Sequence, residues 1–423
     1  VLVYSTPVLR GSVEVTGRIL ARLWASSDAP DTDWTVKLTD VYPDGRSMLV
    51  LDGIQRARMR CGDDVECFLT PGVPTEIEID LWSTAKVFAR GHRIRVAIAG
   101  TNFPNAVSGY PLCCPYRASM ITGKYAHNHS VRLHEDRLDP SFRTITDVFN
   151  QYDYETIYLG KWHLAGIKEA QGRSVLQTVP REERGRFDTW LGYDNNNSQW
   201  DTFLHGHDGD LEIPHYRLPG YETDCLTDMA LERIADRCPD DPPFFMVVSV
   251  QPPHNPRLAP AQQRRYQAQH LSLRLNVPSN LEAQARFDLS GYYAQIENID
   301  FNMGRLIDGL RSKGILDETH ILFFSDHGDQ LGSQGRFGKC VPYEESMRVP
   351  FMIGGAAPMS YDGWQSGNAP SLVNHVDIAP TTLGLCGIDK PDWMRGFDYS
   401  GMLRTGNPKD DADSAPDSAY LQL

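Results

Sequence analysis

The chain has 423 residues, of which 41% are hydrophobic and 23% are charged, as in an ordinary globular protein. Its 55 acidic and 41 basic residues give a formal net charge of −14, which argues against nucleic acid or an anionic membrane surface as the main partner. No apolar run approaches the roughly 20 residues of a membrane span, and residues 1–12 lack the pattern of a signal peptide. The sequence leaves the compartment open.

Residues 1–105 contain short runs in which apolar and polar side chains alternate, such as "SVEVTGRILARLWAS" and "HRIRVAIAG". In the second run, Ile94 and Val96 share one face, whereas Arg93 and Arg95 share the other. This period of two is typical of half-buried strands. Because turn sequences such as "PDG" and "TPGVP" separate the runs, we predict a β sandwich or jelly roll.

The same region holds two of the chain's eight cysteines. Cys61 and Cys67 could form a disulfide in an oxidising compartment, but the sequence favours buried free thiols at both positions. None of the eight cysteines belongs to a C-x-x-C pair, so no zinc knuckle or thioredoxin-like motif is predicted.

Two long stretches of this region carry a family resemblance. "SSDAPDTDWTVKLTDVYPDGRSMLVLDGIQRARMR" and "IEIDLWSTAKVFARGHRIRVAIAGTNFPN" resemble the C-terminal jelly-roll domain of Xaa-Pro dipeptidyl-peptidase and cocaine-esterase type hydrolases. The resemblance implies an all-β, galactose-binding-like jelly roll over residues 1–106. In that family the catalytic serine belongs to a separate domain, and this chain contains no G-x-S-x-G. We therefore expect this domain to supply packing or binding surface, and no peptidase or esterase activity.

After residue 107 the pattern changes to short, nearly continuous apolar runs separated by helical patterns. We expect the runs to be strands buried on both faces, at 154–160, 244–250, 320–328 and 349–355. The helical pattern at 224–238 places four apolar residues on one face: Leu226, Met229, Ala230 and Ile234. The pattern at 291–314 does the same with Tyr293, Ile296, Ile299, Met303, Leu306 and Leu310. Alternating strands and helices predict an α/β fold with a largely parallel sheet, and a site at the carboxyl ends of its strands.

The segment "PLCCPYRASMITGKYAHNH" contains Cys113, Pro115 and Arg117 in the pattern C-x-P-x-R, followed by Thr122 and Gly123. Proline suits the first turn of a helix, so the side chain at 113 is predicted at a helix N-terminus, where partial positive charge favours an oxyanion. The pentad alone is equally compatible with two buried cysteines before an ordinary helix.

Three further segments lie at the ends of predicted strands, namely "GKWHLAG" (160–166), "QPPHNP" (251–256) and "FFSDHGDQLG" (323–332), and a fourth, "GRFGKCVPYEESMRVP" (335–350), contains Lys339. A single histidine at a strand end is more often structural than catalytic. Together with the pentad, however, these segments resemble type I, formylglycine-dependent sulfatases of the alkaline phosphatase superfamily. The resemblance covers residues 107–423 and implies an α/β sulfatase core.

The resemblance implies that a formylglycine-generating enzyme oxidises Cys113 to Cα-formylglycine, whose hydrate attacks sulfur. The residues that match the family's catalytic positions are Cys113, Arg117, Lys161, His163, His254 and Lys339. Asp326 and His327 match two ligands of a divalent cation, usually Ca²⁺. Lys161 and Lys339 would neutralise sulfate oxygens, His254 would protonate the leaving alcohol, and His163 would assist expulsion of sulfate.

Three features depart from the family pattern. Sulfatases begin with a strand that ends in a metal-binding Asp-Asp pair, whereas Asp-Asp occurs here at 63–64, 240–241 and 410–411, none after a suitable strand. Tyr116 replaces a small residue and could crowd the helix start. The chain stops after "AYLQL", before the small C-terminal subdomain. We therefore expect a core that is incomplete at its N-terminus, following a fusion near residue 106.

Three functions remain open on this basis. The leading one is hydrolysis of a sulfate ester of a small molecule or carbohydrate, for which residues 187–210 could line a sugar pocket or form a surface loop. The second is phosphoester or phosphonate hydrolysis, because the superfamily shares the sheet and metal site. The third is an inactive fusion that carries a jelly-roll binding module.

Overall fold

The computed structural model describes residues 2–27, 33–43, 47–61, 65–99, 106–168, 172–238, 240–355, 372–401 and 421. The Asp-Asp pairs at 63–64 and 410–411 lie outside these residues. The chain divides into two compact units, one built mainly from residues 1–104 and the other from most of residues 105–423. Within the described part, no helix has both the length and the apolar character needed to cross a membrane.

The first unit is all β. Its strands are β1 (Leu2–Ser5), β2 (Val13–Ala25), β3 (Asp33–Val41), β4 (Ser47–Arg56), β5 (Thr75–Phe88) and β6 (Arg93–Ala99). They form an antiparallel sheet of order β1-β6-β3-β4 and a second antiparallel pair, β2-β5. Val36 and Leu38 from one sheet pack with Ile77 and Ile79 from the other in a common core. This arrangement confirms the predicted all-β domain.

The prediction of free thiols at Cys61 and Cys67 is wrong, because the two residues form a disulfide. Cys67 is held near the residues that precede Cys61, because its N–H donates a hydrogen bond to the Arg58 carbonyl over 2.6 Å. This brings the two Cα atoms to 6.1 Å, within the range that a disulfide requires. Cys61 is also exposed rather than buried.

The second unit combines strands and helices. Its strands are β7 (Glu155–Lys161), β8 (Thr189–Tyr193), β9 (Phe203–Asp208), β10 (Leu211–Arg217), β11 (Phe244–Ser249), β12 (His320–Phe324) and β13 (Phe351–Gly355). Its α-helices are α1 (Cys113–Thr122), α2 (Ala126–His129), α3 (Ile145–Gln151), α4 (Glu222–Asp236), α5 (Glu282–Lys313), α6 (Glu344–Met347) and α7 (Ile378–Leu385). The predicted α/β architecture is confirmed.

The sheet of this unit is mixed rather than largely parallel. In the order β10-β9-β8-β7-β11, the three strands β8, β7 and β11 are parallel, whereas β9 and β10 are antiparallel to their neighbours. β12 and β13 form a separate antiparallel pair. Nine residues connect β8 to β9 and two connect β9 to β10, and both connections are shorter than the dozen or so residues that a parallel crossover needs, which explains the antiparallel edge.

A gap separates β11 from β12. Among the described strands, neither of these two pairs across the gap, and a cavity of about 1150 Å³ lies between them. Every side chain of β11 and β12 is only partly buried, whereas six of the seven residues of β7 are fully buried. The prediction that these apolar runs are buried on both faces is therefore wrong for β11 and β12, since one edge of each faces open space.

The two long helices, α4 and α5, differ in how far their predicted apolar faces are buried. α4 buries Leu226, Ala230 and Ile234, as the pattern predicts. α5 buries Leu310 of its predicted apolar face, but Tyr293 and Ile296 of that face are 39% and 40% exposed, and polar residues such as Asn298 and Asn302 are buried.

The polar face of α5 is selected by hydrogen bonds to α4. Asn298 and Asn302 both donate to the Asp224 carboxylate, over 2.9 and 2.7 Å. These bonds determine which side of α5 faces α4. The apolar stripe of α5 is therefore partly exposed to solvent.

Residues 187–210 contribute strands β8 and β9 to the sheet. Trp190 lies in the core with no exposed surface, and Asn195 and Asn196 are buried as well. The surface-loop alternative is therefore wrong for the two strands, whereas residues 194–202 connect them and include Trp200, which is 37% exposed; Trp190 is not available to a sugar.

Candidate active site

Helix α1 carries the first candidate residue at its start. The helix begins at Cys113, after the extended residue Leu112, and Pro115 lies in its first turn as predicted. The Cys113 side chain is only 1% exposed. Tyr116 is buried and stacks on His375 with ring centroids 5.1 Å apart, so its ring does not prevent the helix from starting at Cys113.

The carboxyl ends of three strands bring the other candidates to the same place. Lys161 is the last residue of β7, His254 follows β11, and Asp326 and His327 follow β12. The Lys339 Nζ atom donates to the Cys113 sulfur over 3.0 Å, and the His327 Nε2 atom lies 3.2 Å from the same sulfur. Residues more than 200 positions apart in sequence thus meet at the helix N-terminus.

Arg117 ties the helix to the sheet. Its guanidinium donates to the Lys161 carbonyl over 2.8 Å and to the Ser249 hydroxyl over 2.7 Å. It also lies 3.7 Å from the Asp326 carboxylate. The buried Arg117 cation is therefore fixed between β7, β11 and the residue that follows β12.

The charges around Cys113 favour its thiolate. Burial disfavours the charged form, but Lys161, His327 and Lys339 outweigh burial and lower the pKa of the Cys113 thiol well below its usual value. Burial works against the Lys339 cation too, yet Cys113 and Asp326 raise the pKa of this lysine. The neighbouring Cys114 behaves oppositely, because burial raises its pKa well above the usual value. Of the two adjacent cysteines, only Cys113 lies in an anion-stabilising environment.

Two histidines of the site are neutral near neutral pH. Burial, followed by the charge of Lys161, lowers the pKa of His163 to about 3. Burial together with Lys161 and Lys339 lowers the pKa of His254 to about 4. His163 also has a backbone φ of 58°, a left-handed conformation that costs roughly 1–2 kcal/mol outside glycine and is often found at functional sites.

Sequence reasoning missed His134. Its ring meets the His163 ring edge-on with centroids 4.6 Å apart, and one of its ring nitrogens lies within 4.8 Å of the Cys113 sulfur. His134 lies before β7 and does not directly follow any strand. No feature of the surrounding sequence therefore indicates that it belongs to the site. The Ser249 hydroxyl was missed for a different reason, since a serine at the end of an apolar run is unremarkable until its partners are known.

The donor atoms near Cys113 do not by themselves suit Ca²⁺. The Cys113, Asp326 and His327 ligand atoms lie within 4.8 Å of one another, and so do those of Cys113, His134 and His163. Calcium prefers roughly six to eight oxygen ligands, whereas these described groups offer one carboxylate. The Arg117 guanidinium near that carboxylate makes the position still less favourable for a cation. The site therefore lacks oxygen ligands among the residues that the structure describes.

The fold and the cluster at the strand ends define an α/β enzyme core of the alkaline phosphatase-like type. The solved structure of a sulfatase homologue from Bacteroides fragilis superposes with a TM-score of 0.65 at 27% identity, over 74% of this chain and 72% of that one. A phosphonate monoester hydrolase from Silicibacter pomeroyi gives a TM-score of 0.57 at 21% identity, over 74% of this chain and 71% of that one. At that identity the second similarity is one of fold alone.

Sequence comparison identifies the family. Residues 92–388 match the sulfatase family, and residues 1–118 match the X-Pro dipeptidyl-peptidase C-terminal non-catalytic domain. An ulvan-active sulfatase from Formosa agariphila is 31% identical over 377 residues, which cover 84% of this chain and 70% of that protein. An N-acetylglucosamine-6-O-sulfatase from Bacteroides thetaiotaomicron is 25% identical, over 73% of this chain and 65% of that protein.

The N-terminal region has its own relative. A cocaine esterase from a Rhodococcus species is 49% identical over 104 residues, which cover 25% of this chain and 18% of that protein. Both predicted resemblances are thus confirmed. The chain belongs to the sulfatase family of sulfuric ester hydrolases and carries an additional β domain of the dipeptidyl-peptidase type.

Proposed function

We propose that this site hydrolyses a sulfate ester, with Cys113 converted to Cα-formylglycine by a formylglycine-generating enzyme. The observation that carries the proposal is the contact of the Cys113 sulfur with Lys339 Nζ and His327 Nε2, at 3.0 and 3.2 Å, at the start of a helix. Formylglycine, when present, supplies a hydrated aldehyde whose oxygen can act as a nucleophile. The cations around position 113 suit such an oxygen, because they already stabilise a negative sulfur there.

The lysines and the arginine have separate roles in this proposal. Lys161 and Lys339 bind the sulfate oxygens, where negative charge develops in the transition state. Arg117 holds the nucleophile in place, since its own contacts with the Lys161 carbonyl and Ser249 fix its position. These groups need no rearrangement during the reaction, and such preorganisation is the main source of electrostatic catalysis.

His163 and His254 take part in different proton transfers in this proposal. His163 is placed to accept a proton from the group at position 113, because its ring is neutral near neutral pH and its buried Nδ1 atom has no hydrogen-bond partner among the described residues. His254 acts as the acid towards the leaving alcohol. A bound sulfate would offset the charges of Lys161 and Lys339, which help to lower the pKa of His254 to about 4, and would so raise it towards the working range.

The divalent cation is a separate part of the proposal. We propose Asp326 and His327 as the two ligands that these described residues contribute to it. One carboxylate and one imidazole nitrogen leave most of the roughly six to eight oxygen positions of Ca²⁺ unfilled by these residues.

Two further assignments concern the substrate and the domains. We infer that the substrate is a sulfated carbohydrate, because one relative is named N-acetylglucosamine-6-O-sulfatase. We also propose residues 1–106 and 107–423 as the two domains, with the first acting as a binding or packing module. The sulfatase match begins at residue 92 and the dipeptidyl-peptidase match ends at residue 118, so the proposed boundary lies in their overlap.

The maturation step is tested by expressing the chain with a formylglycine-generating enzyme and analysing the peptide around position 113 by mass spectrometry. We expect the aldehyde at Cys113 and release of sulfate from aryl and sugar sulfates. Cys113→Ala should abolish hydrolysis, whereas Cys114→Ala, in the adjacent buried thiol, should retain it within a few-fold. An unmodified Cys113 thiol would contradict the proposal, and turnover of aryl phosphates far above aryl sulfates would favour a phosphoester hydrolase.

A further inference from the structure

The Cys113 sulfur belongs to two groups of potential metal ligands. The ligand atoms of Cys113, His134 and His163 all lie within 4.8 Å of one another, and so do those of Cys113, Asp326 and His327. The proposed cation site uses the second group only. The first group, which we call the thiol-histidine site, consists of one sulfur and two imidazoles.

Hydrogen bonds hold the two histidines of this site next to each other. The Cys114 thiol donates to the His134 carbonyl over 2.6 Å, which ties His134 to the first turn of α1. A few residues further on, the Leu138 N–H donates to the Leu164 carbonyl over 2.9 Å. This bond joins the segment that follows His134 to the segment that follows His163, so the spacing of the two histidines is fixed.

Asp194 fixes the position of His163 further. Its buried carboxylate accepts the N–H groups of Ala165 and Ile167 over 2.9 and 3.0 Å. The backbone that follows His163 is therefore anchored beside the end of β8. Because both histidines are held by groups outside the site, the ligands are arranged before any ion binds, as a precise metal site requires.

The spacing of the thiol-histidine site is close to that of tetrahedral zinc. Zn–S and Zn–N bonds of about 2.3 and 2.1 Å place sulfur and nitrogen about 3.5 Å apart, and two imidazole centroids about 5 Å apart. The centroids of the His134 and His163 rings lie 4.6 Å apart. Ligand atoms that lie within 4.8 Å of one another need to approach by about 1.5 Å at most, which small side-chain rotations supply.

The donor atoms favour Zn²⁺ over Ca²⁺, because thiolate and imidazole are typical zinc ligands, whereas Ca²⁺ takes oxygen. The buried Nδ1 atom of His163 has no hydrogen-bond partner among the described residues, so this ring has an unused nitrogen inside the protein. His134 is exposed, which gives an ion a path from solvent. Lys339 repels a cation, but the same charge keeps the Cys113 sulfur in the thiolate form that zinc binds.

We propose that Cys113, His134 and His163 bind Zn²⁺ in the unmodified chain, with water as the fourth ligand. Conversion of Cys113 to formylglycine removes the sulfur, so zinc should bind only before that step and should protect the thiol from it. Zinc binding itself is independent of the proposed function. Its effect on maturation rests on that function.

Zinc binding is measured on the chain made without a formylglycine-generating enzyme and freed of metal by dialysis against a chelator. Zn²⁺ is titrated in competition with a chromophoric chelator, and Co²⁺ serves as its spectroscopic substitute. We expect one Zn²⁺ per chain, and a sulfur-to-cobalt charge-transfer band that reports the thiolate ligand.

Variants of the three ligands locate the ion. His134→Gln and His163→Gln should each weaken zinc binding at least about tenfold, and Cys113→Ser should in addition remove the charge-transfer band. His270→Gln, at an exposed position, is the matched control for His134→Gln and should leave binding unchanged. His327→Gln, in the second group, should change the affinity by no more than a few-fold.

Zinc bound equally by His134→Gln and the unsubstituted chain, or Co²⁺ without a charge-transfer band, would overturn the proposal. A loss of binding in His327→Gln with none in His134→Gln would overturn it as well, because the ion would then lie in the second group. If His163→Gln fails to fold, His134→Gln still decides the question, since His134 is exposed.

The effect on maturation is measured by mass spectrometry of the peptide around position 113 after exposure to the maturing enzyme, with and without Zn²⁺. At a free Zn²⁺ concentration about ten times the measured Kd, formylglycine should form about tenfold more slowly, because only about one chain in eleven is free of zinc. His134→Gln should not be slowed, which controls for any action of zinc on the enzyme. Equal slowing of both chains would overturn this part while leaving zinc binding intact. A thiol that is never converted would contradict the proposed function without affecting the zinc titration.

Discussion

At the residue scale, the Lys161 carbonyl is the point at which the site is held together. It accepts hydrogen bonds from Arg117, from the Ser249 hydroxyl over 2.8 Å and from the Tyr158 hydroxyl. These donors come from α1, β11 and β7, so a single oxygen fixes the relative positions of three elements. The Lys161 side chain starts from this fixed backbone, which limits where its ammonium group can lie.

Lys339 should control the ionisation of Cys113 in the unmodified protein. Removing its charge with Lys339→Met should raise the pKa of Cys113 by about one unit or more, because an opposite charge within about 4–6 Å typically shifts a pKa by roughly 1–3 units. The measurement is the pH titration of the Cys113 ¹³Cβ resonance in cysteine-labelled protein made without the maturing enzyme, with Cys113→Ser for assignment.

Lys390→Met is the matched control for this titration. Lys390 donates to the Gly396 carbonyl over 2.9 Å and makes no contact with Cys113 that the structure describes. Its replacement should leave the Cys113 titration unchanged. An unchanged midpoint in Lys339→Met as well would show that this lysine is not what stabilises the thiolate.

The positions of the site residues could be predicted where the spacing of residues along the sequence determines which of them lie together. Cys113, Pro115 and Arg117 share one helical turn, and a strand followed by a polar residue predicts a position at the sheet edge, as for Lys161 and Asp326. His134 and Ser249 could not be predicted, because each acts through a partner that folding alone brings near.

At the element scale, helix α1 depends on how it ends as well as on how it begins. Gly123 closes the helix with a left-handed φ of 62°, and its N–H donates to the Ser119 carbonyl over 2.8 Å. The Gly123 carbonyl then accepts the Arg395 N–H over 2.7 Å. The end of the helix that begins with Cys113 is therefore tied to the segment around Met394.

Gly123→Ala should destabilise the protein more than Gly314→Ala does. Both glycines end a helix with a left-handed φ, so each substitution costs roughly 1–2 kcal/mol in backbone strain. At Gly123 the new Cβ would also lie 2.8 Å from a Met394 side-chain atom, whereas nothing lies within 4 Å at Gly314, and such overpacking adds about 1–3 kcal/mol. Urea unfolding of the two variants measures the difference, and equal losses would contradict the packing argument.

Elements were predicted best where one physical signal dominates. The apolar stripe of α4 and the strand β7 result from hydrophobic periodicity alone. The orientation of α5 does not, because the hydrogen bonds of Asn298 and Asn302 with Asp224 outweigh its apolar stripe, and a buried polar contact leaves no periodic trace in the sequence. The strand runs at 244–250 and 320–328 predicted β11 and β12 but not that they lie apart.

At the scale of the whole molecule, buried histidines link stability to pH. Burial lowers the pKa values of four buried histidines to about 3: His129, His163, His205 and His375. Burial raises the pKa of Asp377 to about 7. Between about pH 4 and 6.5 the unfolded chain thus binds up to four more protons through the histidines, and the folded chain one more through Asp377.

Acidification over this window should therefore destabilise the fold. Through these groups the unfolded chain binds up to three more protons than the folded chain, four at the histidines less one at Asp377. Each of these protons lowers the free energy of unfolding by about 1.4 kcal/mol for every pH unit of acidification. Urea unfolding at successive pH values measures the slope. His129→Gln should flatten it by about one proton, whereas His270→Gln, at an exposed position, should not change it. A slope that His129→Gln leaves unaltered would contradict this account.

The outermost strand β10 and the strands β11 and β12 differ in the sequence features that prevent pairing with another molecule. β10, at the rim, contains Pro214, shifts register against β9 between Ile213 and Tyr216, and exposes the charged Glu212 and Arg217. Such features discourage edge-to-edge aggregation. β11 and β12 contain no proline and no acidic or basic residue other than His320. The sequence therefore protects the outermost strand of the sheet against pairing with another molecule, whereas β11 and β12 carry neither of these protective features.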